Sequence, residues 1–214
     1  MPRRSSNSDG SNLTGQVQQE SAVSHILIVQ GHPDTSERHF CHALADAYAA
    51  GALRAGHTVE RLEIARIEVP RLQSQKEQQS GAVVPDIANA QTLFKAVDHV
   101  VMVFPLWMGG MPSLVVSFLE QVLRPGYAYE GTGPAMKKLL RGRSMRLVIT
   151  MAMPAWYYRL VYGSHSLKAW KVGALGFVGF RPIRASIVGN VSEADVSAHE
   201  NWLKEMEALG VAAR

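Results

Sequence analysis

The stretch HILIVQGHPDTS, residues 25–36, decides the fold of this chain. Its first half contains four consecutive aliphatic residues at 26–29, and an uninterrupted apolar run is typical of a strand that is buried on both faces of a sheet. Its second half is rich in turn-forming residues, and Ser36 is a good N-cap for a helix that follows. A buried strand that turns into a helix begins a parallel β-α-β unit.

The same alternation continues along the chain. Four further apolar runs predict strands at 58–64, 100–104, 145–150 and 183–188. Apolar residues at helical spacing lie between these runs, and the last helix is predicted at about 192–209. Five strands with interleaved helices predict a flavodoxin-like doubly wound α/β fold, with a parallel sheet of strand order 2-1-3-4-5 and helices on both faces.

Composition limits the classes of protein that this chain can represent. Of its 214 residues, 47% are hydrophobic and 19% are charged, which suits a chain with a packed core and excludes disordered and collagenous proteins. No apolar stretch reaches the roughly 18 residues of a membrane helix, so we expect a soluble protein. The single cysteine, Cys41, agrees with a reducing cytoplasm. A net charge of +4 is too small to indicate nucleic-acid binding.

The first residues differ in composition from the rest. Residues 1–24 are mainly Ser, Asn, Gln and Gly with almost no large apolar side chains, so we predict a disordered tail. The remaining residues, 25–214, are predicted to form one domain. Ligands of doubly wound sheets bind at the carboxyl ends of the strands, which directs attention to the loops at 30–36, 105–112 and 151–165.

The first loop leads from a strand into a helix N-terminus, where free backbone N–H groups favour an anion such as phosphate. Ser36 can donate from its hydroxyl group, and His32 and Arg38 can add donors or positive charge. The alternative is a capped helix with a histidine and an arginine on its surface. His39 and His42 lie three residues apart, but no third ligand is evident, so no metal site is predicted.

The second loop contains a tryptophan and two methionines around a Gly-Gly pair. Exposed backbone groups and soft, flat side chains at a strand end suit a planar aromatic ligand. In the alternative interpretation, Trp107 and the methionines belong to the core beneath a proline turn. The third loop has a high density of aromatic residues at 156–158, which indicates a pocket wall, a lid or an oligomer surface.

Two stretches of this sequence are characteristic beyond their composition. The stretch FPLWMGGMP at 104–112, followed by FLEQVLRPGYAY at 118–129, resembles the NAD(P)H:quinone oxidoreductase family, the DT-diaphorase-like branch of flavodoxin-like folds. Gly31 with His32, the Trp-Tyr-Tyr at 156–158 and LGFVGF at 175–180 add to the resemblance.

The resemblance implies a flavin, FAD or FMN, at the carboxyl edge of the sheet. It implies that the enzyme takes a hydride from NADH or NADPH and then reduces a quinone-like small molecule by two electrons. The residues implied to hold the flavin phosphate are His32, Ser36 and Arg38. Those implied to lie along the flavin ring are Pro105, Leu106, Trp107, Met108 and Gly109, with Thr150, Met151 and Ala152 at its far edge. Tyr158 and His165 are the implied catalytic residues.

The resemblance also implies a cytoplasmic homodimer with no nucleic-acid partner. Any contact of this homodimer with a membrane is expected only through a partner protein. One departure lies after the fourth strand, where this chain has two methionines in place of the glycines of animal relatives. Two alternatives to the reductase remain: an accessory flavoprotein similar to the regulatory subunits of potassium efflux systems, and a scaffold without flavin. The sequence argues against a one-electron carrier, because such carriers are usually acidic and lack the aromatic pocket wall.

Overall fold

A computed structural model describes residues 23–214, without the side chain of Pro134. The predicted disordered tail at 1–24 lies outside the described residues, apart from its last two. The helices and strands are β1 (His25–Gln30), α1 (Phe40–Arg54), β2 (Thr58–Glu63), α2 (Gln75–Ser80), α3 (Pro85–Ala96), β3 (His99–Pro105), α4 (Ser113–Val122), β4 (Tyr129–Glu130), β5 (Lys137–Lys138), β6 (Ser144–Thr150), α5 (Ala155–Leu160), α6 (His165–Ala169), α7 (Gly176–Val178), β7 (Ile183–Val188) and α8 (Val196–Val211). A π-helical stretch, Trp170–Leu175, joins α6 to α7, and short 3-10 turns occupy Ile64–Arg66 and Gly133–Ala135.

The main sheet is parallel and has the strand order β2-β1-β3-β6-β7. Counted along the five main strands, this is the order 2-1-3-4-5, so the predicted fold class is confirmed. The order reverses between β1 and β3, and the carboxyl ends of these strands therefore flank the crevice in which doubly wound proteins bind ligands. The small antiparallel pair of β4 and β5 is an addition that the sequence pattern did not predict.

Two hydrophobic cores cover the two faces of the sheet. Along β1 the side chains alternate, so that Ile26 and Ile28 pack with α1 and α8, whereas Leu27 and Val29 pack with α3 and α4 on the other face. This alternation follows from the two-residue repeat of a strand, and it explains why the run at 26–29 has to be apolar throughout. Helices therefore lie on both faces, as predicted.

Two helix boundaries differ from the prediction. Helix α1 begins at Phe40 with His39 as its N-cap residue, because Ser36 donates its hydroxyl group to Asp34 within the preceding turn and does not cap the helix. Helix α8 begins after Asp195, whose carboxylate accepts the backbone N–H of Ala198 at 2.8 Å. A hydrogen bond from a backbone N–H group to an aspartate at the N-cap position stabilises the start of a helix.

The helical stretch 165–178 was not predicted, since its many small and apolar residues show no clear helical repeat. Within residues 23–214, no helix combines the length and the hydropathy that a crossing of a membrane requires.

Candidate functional site

Three loops meet at the carboxyl edge of the sheet because backbone hydrogen bonds tie each loop to a neighbouring strand. The N–H of Gly31 donates to the carbonyl of Val103 at 2.7 Å, and the N–H of Leu106 donates to the carbonyl of Thr150 at 2.7 Å. These bonds extend the sheet past the ends of β1 and β3. They bring the first loop (30–36), the second loop (105–112) and the start of the third (151–165) to one edge.

The second loop contains a tight turn that projects from the protein. Trp107 and Gly110 exchange two backbone hydrogen bonds of 2.9 Å, and the residues between them, Met108 and Gly109, have positive φ angles of 48° and 76°. Positive φ at both central positions defines a type I′ turn, which suits glycine but strains methionine. A strained backbone conformation at an exposed position is more often associated with function than with stability.

The side chains of this turn face solvent. Trp107 is 47% exposed and Met108 is fully exposed, so the interpretation of these two residues as core is wrong. Met111 is half-buried and packs on the core, as that interpretation expected. Within residues 23–214 the backbone N–H groups of Met108 and Gly109 have no acceptor. The turn thus offers an aromatic ring and two free donors to a ligand.

In the first loop, His32 connects the turn to helix α1. Its ring stacks on His39 with centroids 3.7 Å apart and meets the edge of Trp107 at 6.2 Å. The imidazole is buried, and burial together with the neighbouring His39 lowers the pKa of His32 from its usual value. His32 is therefore mainly neutral at pH 7 and can serve as a hydrogen-bonding and stacking group.

Asp34 organises the same loop and was not selected from the sequence. Its carboxylate accepts the backbone N–H of Ser36 at 2.8 Å, the hydroxyl of Ser36 at 2.6 Å and Nε2 of His39 at 3.0 Å. Hydrogen bonds from Ser36, and then from His39, lower the pKa of Asp34 to about 2. The Asp-Thr-Ser order at 34–36 is an Asx-turn signature, which is the signal that would have identified this residue.

The three residues predicted to bind the flavin phosphate differ in whether their side chains are free to do so. His32 lies at the centre of the loop, whereas the hydroxyl of Ser36 is already bonded to Asp34. Arg38 forms an exposed ion pair with Asp46 of α1, which also binds Arg61 at 2.5 Å, so its guanidinium group is engaged away from the loop.

Backbone groups supply the remaining donors near the start of α1. Among the residues that the structure describes, several N–H groups of this segment have no protein acceptor. They belong to Thr35, Glu37, Arg38, Phe40 and Cys41. N–H groups before and within the first turn of a helix suit an anion, so this loop can accept a phosphate through its backbone.

The third loop offers less to a ligand than its sequence suggested. Thr150 is buried, and its Oγ1 lies 3.1 Å from Sγ of Cys41. Met151 is buried in the core, its N–H donates to Val188 and its carbonyl accepts from Val191, so no group of Met151 is left for a ligand. Ala152 is exposed. Of Thr150, Met151 and Ala152, only Ala152 is therefore accessible to a ligand.

The proposed catalytic residues share a cavity with the turn. This cavity of about 450 Å³ is lined by Met108, Gly109, Tyr158, Val161, Tyr162, His165 and Ser166. Tyr158 is buried with its hydroxyl 2.9 Å from Oγ of Ser166, and His165 is exposed. Tyr162, which sequence reasoning did not select, packs its ring against Gly109, where an added Cβ would lie 3.5 Å away. The fold thus brings the second and third loops into contact.

The residues present fit a flavin at this edge, with one exception. The turn supplies an aromatic side chain and free N–H groups for a flat heteroaromatic ring, and the first loop supplies backbone donors for a phosphate. The exception is Met151, because its side chain is buried in the core and both of its backbone polar groups are hydrogen-bonded within the protein.

Comparison with known proteins agrees with the fold described above. Residues 24–209 match the protein family described as Flavodoxin-like fold. The chain belongs to this family.

Several relatives of this chain are named as quinone reductases. The chain is 29% identical over 137 residues to NAD(P)H dehydrogenase [quinone] 1 of Rattus norvegicus, covering 60% of this chain and 50% of that protein. It is 28% identical over 144 residues to FMN-dependent NADH:quinone oxidoreductase 2 of Listeria monocytogenes, covering 59% and 68%. The chain thus spans about half the length of the rat relative.

A solved structure shares the whole architecture. The NAD(P)H:quinone oxidoreductase from Methanothermobacter marburgensis has a TM-score of 0.76 with this chain at 21% identity, covering 90% of this chain and 100% of that one. This likeness establishes a shared Flavodoxin-like fold. None of these three proteins is a subunit of an ion-efflux system, so they give no support to the accessory-flavoprotein alternative.

Proposed function

We propose that this protein is a flavin-dependent NAD(P)H:quinone oxidoreductase, which takes a hydride from NADH or NADPH and reduces a quinone-like small molecule by two electrons. The observation that carries the proposal is the exposed turn at 107–110, which lies at the switch point of the sheet and faces Tyr158 and His165 across one cavity. The names of the rat and Listeria relatives support the same reaction class.

When bound, the flavin would accept a hydride from NADH or NADPH and pass two electrons to the quinone. In this proposal the protein supplies orientation and electrostatics. The N–H groups of Met108 and Gly109 bind heteroatoms of the ring, and Leu106 and Trp107 form the adjoining surface beside the buried Pro105. His32 and the backbone N–H groups at 35–41 hold the phosphate, because the side chains of Ser36 and Arg38 are already bonded elsewhere.

Tyr158 and His165 are proposed as the groups that hold a proton near the reacting atoms. The phenol of Tyr158 is fixed by Ser166 and keeps a hydroxyl group at the wall of the cavity. His165 faces the same space and is exposed, so its imidazole can reach both the cavity and solvent. Both groups are suited to stabilise negative charge that develops when a hydride arrives.

We favour FMN as the flavin, since the Listeria relative is named for FMN. Extraction of the flavin from purified protein, followed by mass spectrometry, distinguishes the two: a mass corresponding to FAD would contradict this choice. The proposal also places the enzyme in the cytoplasm, in keeping with the single, buried free thiol of Cys41.

We further propose that the protein is a homodimer. The third loop and α5 expose large apolar side chains, namely Trp156, Tyr157, Leu160, Val161 and Tyr162, beside the exposed Met108. An exposed apolar and aromatic surface of this kind is typical of an interface with another protein chain. A second copy that covers it would also close the open side of the cavity.

The test of the reaction is an anaerobic visible spectrum of the purified protein. We expect a flavin spectrum that bleaches when NADH or NADPH is added and returns when menadione follows. Tyr158→Phe and His165→Ala should slow the reductive step by about tenfold to a thousandfold while the flavin stays bound. Tyr127→Phe is a matched control, since this hydroxyl bonds to the carbonyl of Gln91 outside the cavity. A protein that stays colourless with FMN and FAD would refute the proposal and favour a scaffold without flavin.

A further inference from the structure

A basic cleft lies at the amino-terminal edge of the sheet, opposite the three loops. It is formed by residues 138–142, which follow β5, and by residues 171–183, which lead from the π-helical stretch through α7 into β7. Two neighbouring cavities of about 500 and 400 Å³ make up this basic cleft, and both are lined by Lys138 and Arg181. Because they share these two side chains, the cavities are direct neighbours.

The charges of the basic cleft are all of one sign. Its cationic side chains are Lys138, Arg141, Lys171 and Arg181, and no acidic side chain lines either cavity. In the part of the chain that the structure describes, none of the four forms an ion pair. By contrast, Arg38, Arg54, Arg61 and Arg66 all face a carboxylate. Four like charges around two neighbouring cavities attract an anion more strongly than scattered surface charges do.

The backbone of the basic cleft is held rigidly. The N–H of Leu140 donates to Val178 at 3.1 Å, and the N–H of Arg181 donates to Arg143 at 2.8 Å, so the two walls are bonded to each other. Gly179 has a φ of 121°, and an added Cβ would lie 2.8 Å from the backbone nitrogen of Arg141. Close contact at a glycine keeps the two backbone walls together.

The two cavities differ in their chemistry. The smaller is lined by Lys138, Arg141, Arg181 and two glycines, so it offers charge and no apolar side chain. The larger adds Lys171 and an apolar surface of Val172, Phe177 and Ile183, with the fully buried Phe180 behind them. Val172 and Phe177 are exposed there. A ligand that spans both cavities therefore needs a strongly anionic end and a flat or apolar end.

We propose that the basic cleft binds a phosphorylated organic molecule of nucleotide size, at a second site distinct from the three loops. The phosphate groups lie in the smaller cavity, where the guanidinium groups of Arg141 and Arg181 can each bind two phosphate oxygens. The planar part lies in the larger cavity against Phe177. This proposal does not depend on the reaction at the other edge of the sheet.

The proposal is tested by calorimetric titration of the full chain saturated with its flavin, with ADP, pyrophosphate and adenosine as probes. We expect one ADP per chain outside the flavin site, with an affinity at least about tenfold above that of adenosine and weakened by added salt. ADP should also bind more tightly than pyrophosphate because of the apolar surface. Equal affinities for ADP and pyrophosphate would overturn the assignment of the larger cavity.

Paired variants locate the binding. The double variant Arg141→Gln/Arg181→Gln should lower the affinity for ADP by about tenfold or more, while the rate of quinone reduction stays unchanged. The matched control is Lys76→Gln/Lys204→Gln, which removes two exposed charges elsewhere and should bind ADP like the parent. Parental ADP binding by the double variant would overturn the proposal, since ADP would then occupy another site. Binding to anionic phospholipid vesicles without binding to ADP would overturn it in favour of a membrane surface.

Discussion

Trp107 is the residue on which the proposed flavin site depends most. Its indole is half-exposed at a tight turn and meets the edge of His32, so it contributes surface for a ligand and little to the core. We expect Trp107→Ala to weaken flavin binding by about fivefold, corresponding to the loss of an aromatic contact of roughly 1 kcal/mol. Flavin release followed by fluorescence measures this effect.

The thermal unfolding of the same variant serves as its control. Because the side chain is largely outside the core, the melting temperature without flavin should change by no more than about 2 °C. A variant that fails to fold would show that Trp107 has a structural role, contrary to this prediction.

His99 makes the stability of the protein depend on pH. This residue is 1% exposed, its Nδ1 lies 2.7 Å from Oγ of Ser144, and its Nε2 has no hydrogen-bond partner among residues 23–214. Burial, and then Arg146 and Arg184, lower its pKa to about 4. The unfolded chain, with an ordinary histidine pKa near 6.5, binds the proton first as the pH falls. Stability is therefore lost between about pH 6.5 and 4, by about 3 kcal/mol.

The measurement is urea denaturation of the parent and of His99→Asn, which keeps a polar atom for Ser144, at pH 7.5 and 4.5. We expect the loss of stability between these pH values to be smaller in the variant by about 2–3 kcal/mol. An equal loss in both proteins would assign the pH dependence to other groups.

At the scale of elements, the contact between α1 and α8 sets the position of the first loop. Glycines allow the two helices to touch: a Cβ on Gly51 would lie 2.0 Å from the carbonyl oxygen of Glu207, and one on Gly210 would lie 2.0 Å from that of Tyr48. Because α1 begins directly after the first loop, any separation of these helices also shifts the N–H groups at 35–41.

Gly210→Ala is therefore expected to destabilise the protein by about 1–3 kcal/mol, since the helices must move apart to admit the methyl group. For a chain of this size the melting temperature should fall by roughly 2–10 °C. Gly173→Ala is the control, because a Cβ at that position would meet nothing within 4 Å. A Gly210→Ala variant as stable as this control would show that the helices can separate freely.

At the scale of the whole molecule, the exposed aromatic surface around α5 defines the proposed dimer. Leu160 is 77% exposed at its centre. We expect Leu160→Glu to convert the dimer into a monomer at micromolar concentration, because a buried, unpaired carboxylate opposes association. Light scattering after size-exclusion chromatography measures the mass. Val196→Glu, a similar change at an exposed position at the start of α8, should leave the dimer intact. A parent protein that is monomeric would contradict the proposal.

The local sequence pattern determined the fold of this protein. Continuous apolar runs at 26–29 and 100–104 can only be satisfied by strands covered on both faces, and helical spacing between them requires parallel crossovers. These are short-range properties of the chain, and the order 2-1-3-4-5 was predicted because it is the order that a flavodoxin-like fold gives to five such strands. The stretch 165–178 was missed because its small residues lack a helical repeat and its conformation depends on packing.

The site was predicted in part, because a ligand site depends on contacts between residues far apart in the chain. The sequence indicated the three loops, but it did not show that Trp107 is exposed, that Met151 is buried or that Asp34 takes the donors of Ser36. It also gave no sign that Lys138 and Arg181 share a basic cleft. Exposure and hydrogen-bond partners are decided by the packing of the whole molecule, and only the tertiary structure contains that information.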